Sequence, residues 1–328
     1  MELSLIYLLL AVLETTHSLP IDASSSKNRK VTKWYRSSIL EDDTENEDQG
    51  ILYLNIDEDS NSVDDLAEKV LSAFSLTNGV SQQDVSLTQV GSNRGRTRRD
   101  VISGKDGIFG KDDRVNMRTS HEAQMYPFST AVMLSSGCTG TLIGAQHVLT
   151  AAHCVHNGKR LLKSAKHLRV GLLQRSGKFH WIRVQRKYVP KEWKKQSPQK
   201  DKLRYDFAVL KLKRQHNRQH MSVQISSLLP GSKIQFSGFH GDKWYHSLWY
   251  TYCHVYRKSN DMILNFCDGV KGVSGSGVYV DTGDKNAVVG VVSAIAKGTV
   301  KGKELKFNVV NSLTSTKVRQ ISKWVARR

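Results

Sequence analysis

The stretch Gly272-Val-Ser-Gly-Ser-Gly277, near the C-terminal end of the 328-residue chain, sets a serine between glycines. Glycine tolerates positive φ and lets backbone approach a partner closely, so a serine in such a turn is presented rather than packed. Ser274 is thus a candidate nucleophile, the alternative being a tight turn that carries two serines. A hydroxyl attacks poorly at neutral pH unless a base takes its proton, and the base needs a third group to hold its tautomer. Twelve histidines are present, so residue type alone selects none. His153 is distinctive because it ends the strand-like run "HVLTAAHC", with small Ala151 and Ala152 before it and Cys154 after it. Asp206 heads another apolar run, "FAVLKL". An acid at the lip of a buried strand must be paired or hydrogen-bonded, since an isolated buried carboxylate is costly.

The elements available to hold these residues are short and strand-like. From Tyr126 onward "FSTAVMLSS", "TLIGAQHVLTAAHC", "HLRVGLL", "FHWIRVQRKYV", "DFAVLKL", "KIQFSGF", "LWYTYCHVYRK", "MILNFC", "GVYV" and "AVVGVVSAI" are rich in β-branched and aromatic residues and separated by turn or charged residues. Strands without helical interludes predict an all-β barrel or sandwich. The end differs: residues 314–328, "TSTKVRQISKWVARR", place Val318, Ile321 and Val325 at helical spacing, with Arg327 and Arg328 at the favourable end. An α/β-hydrolase elbow, G-x-S-x-G, is excluded because Ser276 takes the second glycine position and no βα alternation is visible.

The N-terminal part has another character. Residues 1–18, "MELSLIYLLLAVLETTHS", hold an apolar run from Leu3 to Val12 that is too short to span a bilayer and ends in small or polar residues. This predicts a signal peptide with Ser18 last, although Glu2 stands where Lys or Arg is usual. No other segment has eighteen apolar residues in a row, so a membrane span is not expected and a secreted, extracellular location is. The formal charge of +19 is unevenly placed: an acidic leader with "EDDTENED" at 41–48 precedes a body from Asp100 that carries 39 Lys and Arg against 14 Asp and Glu. Between them Arg96-Thr-Arg-Arg99 has the R-x-R-R pattern cut by processing proteases. Residues 19–99 are therefore expected to be a pro-segment, disordered around the acidic run. A helix is predicted at Val63–Phe74. Its negative charge would hold the segment against the basic body until cleavage after Arg99.

In an oxidising compartment the four cysteines, Cys138, Cys154, Cys253 and Cys267, are expected to be paired, in one of three connectivities. A metal site of Cys154 with His147, His153 and His156 lacks any CxxC pair, so no metal or cofactor is expected. There is no Asn-x-Ser/Thr acceptor for N-glycosylation. The basic runs "KRQHNRQH" at 213–220 and "RVQRKYVPKEWKK" at 183–195, with Arg327 and Arg328, could bind a heparan-like polyanion; nucleic acid is not an expected partner of an exported chain.

Taken together, "LTAAHC", "YDFAVLKL" and "GVSGSGV" resemble the histidine, aspartate and serine boxes of the trypsin-like (chymotrypsin-fold) serine proteases, in that family's order. The resemblance covers roughly Phe109 to Arg328. Within the family the chain is similar to the secreted serine protease 23 and serine protease 35 group through "IFGKD", "YPFSTAVMLSSGCTGTLIGAQHVLTAAHCVH", "WIRVQRKYVPKEW", "IQFSGF" and "CDGVKGVSGSGVYV". Some of that group have lost the serine; Ser274 is retained here. The resemblance implies two six-stranded antiparallel β-barrels with a C-terminal α-helix over residues 100–328. It also implies a Cys138–Cys154 disulfide, which favours Cys253–Cys267 for the other pair.

For function the resemblance implies a secreted serine endopeptidase acting on protein or peptide substrates through His153, Asp206 and Ser274 and an acyl-enzyme. The N–H groups of Gly272 and Ser274 would form the oxyanion hole. Ser293, Asp268 and Ile295 fall by count in the substrate pocket, where Ile295 replaces a glycine. Val273 stands where the family places the aspartate that captures a newly cut amino terminus. Activation would then proceed by unmasking the site, or the loop would be preformed as in bacterial glutamyl-endopeptidase-like relatives. The rival reading is an inactive pseudoprotease that binds extracellular matrix or polyanions, favoured if Val273 leaves the oxyanion hole collapsed.

Overall fold

A computed structural model describes residues 52–75, 107–117, 121–195 and 202–327. The predicted signal peptide, the acidic run at 41–48 and the Arg96–Arg99 processing pattern lie outside the described residues. The N-terminal part contributes β1 (Leu52–Ser60) and the helix α1 (Val63–Ser75), followed by β2 (Val115–Asn116).

The first barrel consists of β3 (Ala131–Leu134), β4 (Thr139–Gly144), β5 (His147–Thr150), β6 (Arg169–Leu173), β7 (Phe179–Tyr188) and β8 (Ala208–Leu212). They close in the order β3-β4-β5-β8-β7-β6 through antiparallel pairs. Alternation fills its interior: Val132, Leu142, Leu149, Val170, Leu172 and Leu210 are buried. A short β9 (Ser222–Val223) leads into the second barrel, made of β10 (Lys233–Gly238), β11 (Trp249–Lys258), β12 (Met262–Asn265), β13 (Gly277–Asp281), β14 (Asn286–Val300) and β15 (Lys303–Ser312). There β14-β13-β10-β11-β12-β15 run in order, and β14 pairs with β15 to close the ring. Phe236, Val255, Ile263, Val278, Val289 and Val310 form its core. Closure removes the free edges that short strands would otherwise expose.

The two six-stranded barrels are those the sequence predicts, and both expected disulfides, Cys138–Cys154 and Cys253–Cys267, are present. The C-terminal helix α2 (Ser315–Val325) leaves the second barrel and packs back on the first. Ile321 and Trp324 are buried while Val318 and Val325 lie at the margin, and Trp324 stacks on Tyr188 with ring centroids 5.9 Å apart. A helix so placed fastens the two barrels to each other.

Two elements depart from the sequence reading. The charged run "KELKFNVVNS" is strand β15: only its charged start, Lys303 to Lys306, reaches solvent around buried Leu305, and from Phe307 to Ser312 every residue is buried, Asn308 and Asn311 included. In the acidic leader the predicted helix forms, as α1, but a strand precedes it. That strand, β1, pairs in parallel with β14, from Leu52 opposite Ala294 to Ser60 opposite Val300. Residues 52–75 therefore extend the sheet of the second barrel and form, with Met262, Leu264, Leu305 and Phe307, an apolar cluster separate from its core.

Candidate active site

His153, Asp206 and Ser274 come from three loops that meet between the barrels. His153 lies in a 3-10 turn, Ala152–Cys154, directly after β5. Asp206 precedes β8, which pairs with β5, so the two residues are brought side by side by the sheet. The backbone N–H of His153 donates to Asp206 Oδ1 at 2.9 Å, and its ring Nδ1 lies 2.7 Å from Asp206 Oδ2. Because the carboxylate accepts, Nδ1 carries the ring proton and Nε2 is left with a lone pair. The Ser293 hydroxyl donates to the same Oδ2. Asp206 is fully buried, and these donors supply the hydrogen bonds that burial demands.

Ser274 comes from the second barrel, in the turn before β13, and is itself buried. The disulfide sulfur of Cys154 touches both residues: it lies 3.8 Å from His153 Nε2 and 3.7 Å from the Ser274 carbonyl oxygen. Cys138, His153 and Cys154 cluster closely, yet both sulfurs are committed to the disulfide, so no thiolate is available for a metal.

The serine loop is shaped by two glycines. Gly272 has φ +103° and Gly275 φ +86°, a region that side chains rarely adopt. A Cβ on Gly275 would also meet Thr150 Oγ1 at 2.2 Å. The loop is then tied to the first barrel by residues that the sequence reading did not single out. Thr139 Oγ1 donates to Gly272 O at 2.8 Å and accepts from Phe239 N at 3.1 Å, while Thr139 N donates to Ser274 O at 3.0 Å. Thr141 Oγ1 accepts from Gly277 N at 2.8 Å. The signal was present in "CTGTLIG", where two threonines alternate on one face of an otherwise apolar strand.

Val273 is buried in the apolar cluster with Phe236, Cys267 and Val278, and its N–H donates to Val270 O. The 107–117 segment is fastened beside it through backbone groups, Gly269 N donating to Gly107 O at 2.7 Å. Asp268, expected in the substrate pocket, is fully buried and accepts from Phe109 N at 2.8 Å and Asp113 N at 2.9 Å. Its carboxylate anchors this strap. The Ser293 hydroxyl points to Asp206, and Ile295 is buried, paired in register with Tyr53 of β1 and Asn308 of β15.

Arg114 completes the anchor. Its buried guanidinium donates in bidentate fashion to Asp112, at 2.7 and 2.8 Å, and to Asp242, at 2.6 and 2.9 Å. It holds the Asp112 carboxyl well below the usual carboxylate range. Next to this cluster lies His240, whose Nδ1 faces the Val270 N–H at 3.4 Å. Burial, reinforced by the charge of Arg114, pushes the His240 imidazole down to about 3.

Two outcomes follow. Thr139→Val removes a hydroxyl that bridges Gly272 and Phe239 and leaves their buried polar groups unpaired, so urea unfolding should show a loss of about 1–3 kcal/mol. Thr139→Ser should recover most of it; equal losses for both would refute the bridge. His240 stays neutral in the folded state down to about pH 3, whereas in the unfolded chain it titrates near 6.5. The unfolded state binds the extra proton between these values, so stability conferred by neutral His240 is full above pH 6.5 and is lost as pH falls toward 3. The expected slope is up to ~1.4 kcal/mol per pH unit, and His240→Gln should flatten it. An unchanged slope would show that another group dominates.

The relatives of this arrangement are consistent. The Trypsin family model matches residues 115–325. Mouse "Serine protease 23" is 39% identical over 262 residues, covering 70% of this chain and 66% of the mouse protein. The chain thus spans just under two thirds of that relative's length. Mouse "Inactive serine protease 35" is 35% identical over 277 residues, covering 66% of this chain and 68% of that protein. Among solved structures, "Structure of Glu endopeptidase in complex with MPD" superimposes with a TM-score of 0.55 and 26% identity, over 69% of this chain and all of the other. With the family matched across both barrels and relatives of this identity, the chain belongs to the trypsin family, a family of serine proteases.

Proposed function

We propose that this chain is an active, secreted serine endopeptidase. The observation that carries the reading is the doubly held pair His153–Asp206, with the ring contact at 2.7 Å and the backbone contact at 2.9 Å. It favours the tautomer in which Nε2 carries the lone pair a base needs, and the chain retains Ser274 in its serine loop. In the reaction Nε2 takes the Ser274 hydroxyl proton as Oγ bonds to the peptide carbonyl carbon. The resulting oxyanion is met by the N–H groups of Gly272 and Ser274. Nε2 then gives its proton to the amine nitrogen as the C–N bond breaks, leaving the acyl group on Ser274. Water, deprotonated by the same nitrogen, releases the acid. Asp206 stays ionised and stabilises the imidazolium.

Val273 does not argue against this reading. Its side chain fills the apolar cluster under the loop, and Asp268 binds the strap through backbone amides, so the loop has support without a captured ammonium group. Export, and cleavage after Arg99 by a processing protease, remain part of the proposal on the evidence of the sequence.

A second reading rests on the outer face of the first barrel. Arg183 and Arg186 of β7 are exposed beside Lys213 and Arg214, which follow β8. Such a face suits a sulfated glycan, either as an adjunct to catalysis or as the whole function of a pseudoprotease.

A fluorophosphonate should label Ser274 in the processed protein, and His153→Ala should abolish labelling. Ser274→Ala should lower peptide hydrolysis by roughly 10⁴-fold or more. No labelling of a folded, processed chain, together with salt-sensitive heparin binding, would favour the pseudoprotease.

A further inference from the structure

Strand β14 changes partners along its length. Up to Val291 it pairs with β13; from Ala294 to Lys297 one side pairs with β15 and the other with β1 of the acidic leader. The register places Leu52 opposite Ala294, Tyr53 opposite Ile295, Leu54 opposite Ala296 and Asn55 opposite Lys297. Immediately before this run stands Ser293, hydrogen-bonded to Asp206. The edge that β1 covers therefore begins at the catalytic residues. Without β1 it would present unpaired N–H and C=O groups, the template to which an extended peptide adds as a strand.

Chain direction matters here. A substrate whose residues before the scissile bond lie along 294–297, with that bond at Ser274, must run from Lys297 toward Ser293, antiparallel to β14. β1 runs the opposite way, parallel to β14. It can fill the edge without offering a peptide bond in the productive direction.

The occupant is seated firmly. α1 buries Val63, Leu66, Ala67 and Val70 against Met262, Leu264, Leu305 and Phe307. Gly298 makes room for it, since a Cβ there would lie 2.4 Å from Leu66 Cδ1. Asp64 Oδ1 accepts from the Tyr256 hydroxyl at 2.5 Å and from Arg257 Nη2 at 2.7 Å. Lys301 N donates to Ser60 O at 3.0 Å, at the far end of the strand.

We infer that residues 52–75 are a built-in occupant of the β14 edge from Ala294 to Lys297, a reversed strand that keeps extended substrates off the site. The substrate half of this inference rests on the proposed protease function. Cutting the chain after Arg99 leaves the contacts of β1 and α1 untouched, so release of this unit, rather than the cut, opens the edge.

The test compares the full chain with Asn55→Pro, which removes an N–H from β1 and disrupts its pairing, and with Leu66→Asp, which undoes the seat of α1. Hydrogen exchange should show the β14 amides that face β1 protected in the parent and about ten-fold or more faster in both variants. A synthetic 52–75 peptide added to Asn55→Pro should restore protection. Hydrolysis of an extended peptide should rise by about ten-fold in the variants, while Ser274 labelling by a small fluorophosphonate changes by less than about three-fold. Equal exchange in parent and variants, or faster exchange with unchanged peptide hydrolysis in a chain that labels, would overturn the inference. Should no chain label, the protease reading fails, and the docking is decided by exchange and its restoration by the peptide.

Discussion

The arrangement depends on how the first barrel holds the serine loop of the second. β4 does this through Thr139 and Thr141: their hydroxyls, in an otherwise apolar strand, meet Gly272 O and Gly277 N, and the Thr139 N–H meets Ser274 O. Buried hydroxyls and amides without partners cost on the order of 1–3 kcal/mol each, so the barrels have one favourable docking register rather than a range. In that register Gly272 and Ser274 are fixed relative to β4, and the Cys138–Cys154 disulfide ties the start of β4 to the turn that carries His153. One interface therefore aligns residues from two separately closed barrels.

Elsewhere the fold supports the same loop from beneath. Val273 meets the apolar cluster, Asp268 takes two strap amides, and Arg114 bridges Asp112 and Asp242 across the strap's far end. Charged groups are buried here, but each lies within a network of opposite charges or backbone donors, which makes burial tolerable. His240 is the exception in kind: a neutral imidazole held beside a cation, which makes the underside of the loop sensitive to acid.

Much of this could be read from the sequence because it is local. β-branched runs between turns announced most of the strands, and the histidine and aspartate boxes sit at the ends of the paired strands β5 and β8 that bring His153 to Asp206. What could not be read was set by distant partners. Asp268 sits by count where a pocket acid would, yet backbone amides from a segment 159 residues earlier take its carboxylate. β1, "LYLNIDEDS", reads as acidic leader, and its strand character comes from the β14 edge that it meets. β15 opens on charged residues, which mask the buried run that follows. Thr139 and Thr141 are ordinary strand residues until the second barrel is docked on them.

The most direct measurement of the central claim is pre-steady-state acylation with an activated ester. The account predicts a burst approaching one equivalent of leaving group per processed chain, with the acyl group found on Ser274 by peptide mapping. A folded chain that gives no burst, or that carries the acyl group on Ser276, would contradict it.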